Sequence, residues 1–233
     1  MAETTTATGV RARVRAQLTA EIKELARQQL RDVGAAGLSL RAIARDLEMA
    51  SSAIYRYFPS RDALLTALII DAYNALGQAV EEAEAAAKRE DYHGRWSAAA
   101  DALRDWALAH PQQWALIYGS PVPGYAAPQD TIESASRLAV VLFTIVGESI
   151  AAGDSESPKT SRAIRASIAS IRELSAGTIP DTVLVDCLGA WSQLIGLISM
   201  ELFGHFVNVV DDPDVYYAEA VRWLGELVLA PKT

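Results

Sequence analysis

The chain has 233 residues, of which 51% are hydrophobic and 21% are charged, and its formal net charge at pH 7 is −8. That length allows one or two domains with a substantial core, and the composition is that of an ordinary soluble globular protein. The single cysteine, Cys187, excludes an internal disulfide framework, and we expect it to lie buried in an apolar helix of a cytosolic protein.

Helix-forming residues dominate the sequence and alternating β-branched runs are absent, which predicts an all-α fold. The first ten residues lack the apolar core of a signal peptide. The longest apolar run, residues 138–146, is too short to cross a bilayer. We therefore expect a cytoplasmic protein without a membrane partner.

The N-terminal part of the chain is predicted to contain an arm followed by a helix. Residues 1–14 are rich in Thr and Ala and then become basic, which predicts a flexible arm. Apolar residues at helical spacing predict the first helix over residues 18–33, and Gly34 ends it.

Two short amphipathic helices are predicted within residues 38–65. In the first, apolar residues recur on one face, while Arg41 and Arg45 lie on the other. Ser39 stands at the position of its N-cap. The second, residues 51–58, exposes serine, tyrosine and arginine side chains that suit phosphates and base edges. This arrangement is typical of a helix-turn-helix.

The same stretch resembles the DNA-binding region of TetR-type transcriptional regulators. The resemblance covers roughly residues 19–68, and its most specific part is the run Tyr-Arg-Tyr-Phe-Pro-Ser that begins at Tyr55. The sequence departs from the family pattern at Glu48, where the turn usually has glycine, and at Ala50, where the recognition helix usually begins with serine. Glu48 implies either a turn without positive φ or a strained turn, and Ser51 is the alternative cap.

The resemblance implies that the second short helix enters the major groove of double-stranded DNA. We expect base contacts from Ser51, Ser52, Ala53 and Arg56, with Arg56 reading guanine. The basic end of the arm has two open interpretations, contact with the DNA backbone or minor groove, or a solvated leader. Phosphate contacts are expected from Ser39, Arg41, Tyr55, Tyr57 and Arg61.

Charge is unevenly distributed along the chain. Through Asp62 there are ten basic and seven acidic residues, whereas from Ala63 onward there are eleven basic and twenty-two acidic residues. A basic head on an acidic body would orient the molecule, because phosphates repel the body. The charge distribution therefore gives DNA binding modest support.

Residues 15–62 are predicted to form the DNA-binding domain, and residues 63–233 a ligand-binding and dimerisation domain. Ser60 is expected to cap a long helix that starts at Arg61 and joins the two domains. Residues 103–128, which include Tyr-Gly-Ser-Pro-Val-Pro-Gly-Tyr, resemble the C-terminal domain of one TetR subgroup. Breaks between later helices are predicted at residues 93–94, 111, 119–128, 153–158, 177–180 and 211–213.

The last two predicted helices, residues 181–206 and 215–229, favour a homodimer. The first carries a bulky apolar row, expected in the core, beside a row of small residues that would let a helix of a second chain approach closely. The alternative is that the small row packs within the chain. The bulky row is Leu184, Leu188, Trp191, Ile195, Ile198 and Leu202. The predicted interface residues are Val185, Gly189, Ser192, Gly196, Ser199, Phe203, Val221, Leu224 and Val228.

The sequence contains no catalytic constellation and no cofactor fingerprint, so we expect neither an enzyme nor a bound cofactor. Glu201 and His205 lie four residues apart on one helix and are expected to form a hydrogen-bonded pair rather than a metal site. The family resemblance implies a small-molecule pocket, although aromatic residues of this kind also form ordinary cores. The pocket candidates are Trp106, His110, Trp114, Tyr118, Phe143 and Trp191.

Together these features predict a homodimeric repressor that a small-molecule effector releases from a palindromic operator in the cytoplasm, at the nucleoid. An activator or a ligand-independent regulator is the nearest alternative. A more distant alternative is an all-α enzyme or small-molecule-binding protein in which the helix-turn-helix is only structural.

Overall fold

The computed structural model describes residues 3–153, 161–175, 177 and 179–229, with side chains from residue 9 onward. Over this part of the chain the backbone forms ten α-helices and no strand, which confirms the all-α prediction. The helices are α1 Glu3–Val33, α2 Leu40–Asp46, α3 Arg61–Ala86, α4 Tyr92–Ala109, α5 Pro111–Tyr118, α6 Thr131–Ala152, α7 Arg162–Ser167, α8 Ala169–Leu174, α9 Asp181–Leu202 and α10 Pro213–Val228.

The chain divides into two compact units. Unit 1 comprises Met1–Ala72 and Gln112–Thr131, and unit 2 comprises Tyr73–Pro111 and Ile132–Thr233. This division differs from the predicted boundary at residues 62 and 63, because the first turns of α3 pack in unit 1. Lys23 Nζ and Arg27 Nη2 of α1 donate to the Asp71 carboxylate of α3 at 2.9 and 3.0 Å.

Helix α1 begins earlier than predicted. Residues 3–14 belong to one continuous helix instead of a flexible arm, while Met1 and Ala2 lie outside the described residues. Proline is absent from this segment and alanine and arginine, which are strong helix formers, recur in it, so an existing helix extends into it readily. Arg11, Arg13 and Arg15 are exposed on this helix.

Unit 1 has the core that the helical patterns predict. Ile43 and Ala44 of α2 are fully buried, and the Ser39 Oγ accepts from the Ala42 N–H at 3.4 Å, which confirms the predicted N-cap. The Ser60 Oγ accepts from the Ala63 N–H at 3.0 Å at the predicted start of α3. Helix α3 continues from unit 1 into unit 2, and its buried face is the expected one: Leu64, Leu65, Leu68, Ile69, Ala72, Leu76 and Val80.

In unit 2, α4, α9 and α10 pack against one another. Trp96 Nε1 of α4 donates to the Val221 carbonyl of α10 at 2.9 Å, and a Cβ on Gly225 would lie 3.0 Å from the Trp96 ring. This close approach corrects the predicted position of three interface residues. Because their row of α10 faces the interior of unit 2, Val221, Leu224 and Val228 are buried within the chain.

The core-facing side of α9 also differs from the predicted bulky row. Leu188 of that row is 38% exposed, whereas Cys187 and Leu194 are buried. The apolar spacing in the sequence fits two adjacent faces of α9 equally well. Because the face that is buried includes the small residues Cys187 and Ala190, the sequence pattern did not distinguish it. Burial of Cys187 is confirmed, and it raises the pKa of the thiol to about 12. The buried residues of α9 are Leu184, Cys187, Ala190, Leu194 and Ile198.

The predicted breaks fall at helix boundaries with one exception, and Pro111 and Pro213 are the first residues of α5 and α10. Gly94 lies within the first turn of α4, because Asp91 caps that helix by accepting from the Gly94 N–H at 3.0 Å. Residues 154–158 of the predicted break at 153–158 lie outside the described residues.

By length and composition alone, α3, α6 and α9 reach the hydropathy of a membrane span, which the longest apolar run did not indicate. Each nevertheless carries charges that are paired within its own unit. Glu81 of α3 accepts from Arg137 of α6 at 2.8 and 2.6 Å, and Glu201 of α9 accepts from Arg104. Charged residues are rare inside membrane spans, so these pairs favour helices of a folded core.

Candidate nucleic-acid interface

The recognition segment, residues 50–58, is wound more tightly than the predicted α-helix. Turns lead into a 3₁₀ helix at Ile54–Arg56. The Ala53 N–H donates to the Ala50 carbonyl at 2.8 Å and the Arg56 N–H to the Ala53 carbonyl at 3.1 Å, which is the i to i+3 pattern of such a helix. The segment is too short to propagate an α-helix before Pro59. Its buried anchors, Ile54 and Phe58, are the predicted ones.

Arg15 holds this segment from α1, and Arg61, just after the segment, is itself bound to another part of unit 1. Arg15 Nη2 donates to the Arg56 carbonyl at 2.9 Å, and its guanidinium lies 5.3 Å from the centre of the Tyr57 ring. Arg61 Nη2 donates to the Ala35 carbonyl at 2.7 Å. Tyr57 and Arg61, both predicted to contact phosphates, are therefore also engaged inside the protein. Local sequence patterns gave no sign of the Arg15 contact, which joins residues 41 apart.

Of the two predicted kinds of turn before the recognition segment, the structure has the strained one. Glu48 has φ 53, in the left-handed region that glycine adopts most easily. The turn is closed by the Glu48 N–H, which donates to the Arg45 carbonyl at 3.0 Å, and by the Met49 N–H, which donates to the Ala44 carbonyl at 2.8 Å. A residue with a side chain loses about 1–2 kcal/mol in this conformation.

The predicted DNA-contacting residues fall into two groups by exposure. Ser39, Ala53, Tyr57 and Arg61 are half-buried. Within the described part of the chain, Arg41 and Arg56 form no ion pair, so their charges face solvent unneutralised. The exposed group comprises Arg41, Ser51, Ser52, Tyr55 and Arg56.

The aromatic pocket candidates are divided between the two units. Trp114 and Tyr118 belong to unit 1, with ring centres 4.6 Å apart, and the other four belong to unit 2. There, Trp106 stacks on His110 at 4.9 Å between ring centres. Trp114 is fully buried and Trp106 nearly so, as core residues are.

An open-sided cavity of about 450 Å³ lies in unit 2, along α6 and the end of α8. Phe143 is the one predicted pocket residue in its wall. No sequence pattern singles out the other wall residues, because they come from two parts of the chain and face the cavity only after folding. Among the described residues, the wall comprises Val140, Phe143, Thr144, Gly147, Glu148, Ala151, Leu174 and Ser175.

The predicted pairing of Glu201 with His205 is corrected. The Glu201 carboxylate accepts from Arg104 Nε at 2.8 Å and from Arg104 Nη2 at 2.6 Å, because a guanidinium on α4 offers two parallel donors. His205 is exposed. Among the described residues no group of three or more His, Cys, Asp and Glu side chains is placed to hold a metal ion.

The small-residue row of α9 lies largely at the surface of the chain. Val185 is 39% exposed and Phe203 is 47% exposed. A Cβ added at Gly189 or Gly196 would meet nothing within 4 Å, so packing inside the chain does not require glycine there.

The chain is similar to known proteins in both its N-terminal and its C-terminal part. Residues 22–68 match the family model of bacterial regulatory proteins of the tetR family, and residues 96–224 match that of the tetracyclin repressor-like C-terminal domain. The HTH-type transcriptional regulator Rv1816 of Mycobacterium tuberculosis (strain ATCC 25618 / H37Rv) is 41% identical over 220 residues, covering 93% of this chain and 94% of that protein.

Two solved structures extend the similarity to the fold. The crystal structure of SCO4313 is 35% identical with a TM-score of 0.77, covering 91% of this chain and 97% of that one. A protein of unknown function from Rhodococcus sp. RHA1 is 25% identical with a TM-score of 0.69, covering 91% of this chain and 96% of that one.

Proposed function

The chain belongs to the TetR family of bacterial helix-turn-helix transcriptional regulators, and from this premise we propose that it is a homodimeric repressor released from a palindromic operator by a small-molecule effector. Its curated relatives are regulators rather than enzymes. We place its action in the cytoplasm, on the DNA of the nucleoid.

The observation that carries the proposal is the exposed surface of Arg41, Tyr55 and Arg56 beside an internally braced segment. A guanidinium without an internal partner is free to replace phosphate counterions or to donate two hydrogen bonds to guanine. Because Arg15 holds the recognition segment by its backbone and by Tyr57, the segment meets DNA already ordered, so less conformational entropy is lost on binding.

The surface of unit 2 supports the homodimer. The small row of α9 is accompanied by exposed apolar side chains of α10, Trp223 at 60% and Leu227 at 52%. A second copy covering both helices would bury these side chains and make use of Gly189 and Gly196. Two recognition segments would then reach successive major grooves about 34–36 Å apart on a palindromic site.

Effector response requires only that the ligand binds two dimer geometries with different affinity. Helix α3 starts beside the recognition segment and continues into unit 2. A change in unit 2 that shifts this helix would alter the spacing of the two heads and weaken operator binding.

The test is a gel shift with duplex DNA from the region upstream of the protein's own gene, at low and physiological salt. We expect Tyr55→Ala to lower affinity at least tenfold, because Tyr55 is 43% exposed beside Arg56 and its ring and hydroxyl would be lost from the contact. Light scattering should give twice 25.1 kDa for both proteins.

Tyr55→Phe separates the roles of the hydroxyl and the ring, since it removes only one phosphate hydrogen bond and should weaken binding less. Normal operator affinity of Tyr55→Ala would refute the contact assignment. Absence of any wild-type binding at low salt would refute the proposed function itself.

A further inference from the structure

The cavity along α6 and α8 has the size and walls of a small-molecule site. Its volume of about 450 Å³ lies within the ~300–1,000 Å³ range usual for ligand pockets. Phe143, Val140, Ala151 and Leu174 make most of its wall apolar. Val140 and Leu174 are 44% and 40% exposed, so apolar surface faces water when the cavity is empty of ligand.

One wall residue, Glu148, belongs at the same time to a charged cluster. Arg95 Nη1 donates to Glu148 Oε2 at 2.7 Å, and Arg89 Nη2 donates to Glu148 Oε1. Arg95 is completely buried, and its Nε donates to Glu84 Oε1 at 2.6 Å. Two guanidinium groups and two carboxylates thus balance each other.

This balance decides which ligand chemistry fits. The cluster has no net charge with which to attract an ion, so a strongly charged ligand would be desolvated without compensation. A carboxylate nevertheless offers about four acceptor positions. The two arginines occupy two of them, so the partly exposed Glu148 can still accept from at least one ligand donor. The cavity therefore suits a mainly apolar, uncharged molecule with one hydrogen-bond donor.

The cluster also connects the cavity to the helix that enters unit 1. Glu84 lies in the last turn of α3, and Arg95 is the side chain between Glu84 and Glu148. A ligand that donates a hydrogen bond to Glu148 and displaces its carboxylate must change the hydrogen bonds of Arg95 with Glu148 and Glu84. Because Arg95 is buried, it has no water to replace a lost partner, so the adjustment passes to α3.

We propose that this cavity is the effector site, that it takes an uncharged, mainly apolar small molecule with one hydrogen-bond donor, and that the chain Glu148, Arg95, Glu84 transmits its occupancy to α3. The inference rests on the proposed function. It replaces the aromatic cluster expected from the sequence with a site to which only Phe143 contributes among the six candidates.

A fluorescent probe tests the site without DNA. N-phenyl-1-naphthylamine is uncharged and apolar, has one N–H donor, and brightens in apolar surroundings. Ala151→Trp fills the cavity from its wall, whereas Ala152→Trp adds the same bulk at the adjacent exposed position of α6 outside the wall. We expect the first variant to lower probe affinity at least tenfold and the second to leave it within twofold, at equal melting temperatures.

Equal affinity of both variants for the probe, whether both match the wild type or both lose binding, would overturn the site. Should Ala151→Trp fold poorly, Val140→Trp is the second variant. Val140 is exposed in the same wall, about three turns nearer the start of α6, and its replacement by Trp must also lower the affinity.

The transmission is tested by adding the same probe to the protein bound to its upstream DNA. We expect the probe to weaken wild-type DNA binding at least fivefold, and to change that of Glu148→Gln by less than twofold, because glutamine keeps the shape but not the ion pair with Arg95. Probe binding without any effect on wild-type DNA affinity would overturn the effector role. A wild type that binds no DNA would instead refute the proposed function, while the fluorescence experiment still decides the site.

Discussion

The arginines around the recognition segment of unit 1 are used differently from those of unit 2. In unit 2, Arg95, Arg104 and Arg137 each donate to carboxylates of neighbouring helices. In unit 1, Arg27 likewise donates to the Asp71 carboxylate. Around the recognition segment, however, Arg15 donates to a backbone carbonyl, and Arg41 and Arg56 remain exposed. A net charge of −8 is therefore a poor guide to DNA binding. What matters is which cations the fold leaves without an anionic partner, and in the described chain the recognition surface is such a place.

The largest expected effect concerns stability in unit 2. Arg95→Ala should lower the free energy of unfolding by about 3–5 kcal/mol, because it leaves Glu84 and Glu148 close together without their buried counter-charge. The pair of carboxylates already holds the pKa of Arg95 above its ordinary value although burial opposes this. Urea unfolding followed by circular dichroism measures the change.

Arg222→Ala is the matched control for Arg95→Ala. Arg222 also binds two carboxylates, Glu219 and Glu226, but on the exposed face of its own helix. We expect its unfolding midpoint to stay close to that of the wild type, since exposed ion pairs stabilise little. Similar losses from both variants would show that burial is not what distinguishes the arginines of unit 2.

The second expected effect is on DNA binding and not on stability. Arg56→Ala should leave the free energy of unfolding within about 0.5 kcal/mol, since the side chain is exposed. Its specific operator affinity should fall by about 1–3 kcal/mol, or roughly 5- to 150-fold, if it reads guanine. Fluorescence anisotropy with operator and scrambled duplexes measures both affinities, and the scrambled duplex should be affected less.

Arg31→Ala removes the same charge from unit 1 and serves as the control. Arg31 Nη2 lies 3.7 Å from Glu24, so its charge already has a partner. The expected loss of operator affinity is at most about threefold, as for a distant screened charge. Equal losses from the two variants would reduce the role of Arg56 to unspecific attraction.

The sequence was sufficient where local patterns decide the structure. The faces of α2, the Ser39 and Ser60 caps and the start of α3 depend on spacing and capping within a few residues, and the structure confirms them. The family resemblance was likewise sufficient for the DNA-binding surface as a region. The helix caps and apolar faces locate this region from residues that are close together in the sequence.

Contacts between distant residues account for what the sequence did not reveal. The inward face of α10 depends on Trp96 packing against Gly225, which are 129 positions apart by their numbering. The bracing by Arg15 and the link from Glu148 through Arg95 to Glu84 join different helices, and no periodicity within one helix encodes them. The wall of the cavity in unit 2 is likewise made by α6 and the end of α8, and of the aromatic candidates it includes Phe143.

The smallest expected effect compares one turn in each unit. Within the described residues, Glu48 of unit 1 and Asn208 of unit 2 are the two non-glycine residues at positive φ, at 53 and 62. Asparagine tolerates this region and glutamate does not. Glu48→Gly should therefore raise the free energy of unfolding by about 0.5–1 kcal/mol, while Asn208→Gly should leave it nearly unchanged or slightly lower. Urea midpoints measured side by side give the difference.

Glu48→Gln separates the backbone effect from the charge effect. Glutamine keeps a side chain at positive φ, so the strain of the turn remains, but it removes the negative charge beside the recognition segment. We expect this variant to gain operator affinity at low salt and to show no gain in stability, because the removed charge repels phosphates without supporting the fold. A stability gain as large as that of glycine would mean that the charge, and not the φ of the turn, destabilises unit 1. The strain at Glu48 would then no longer distinguish its turn from that at Asn208.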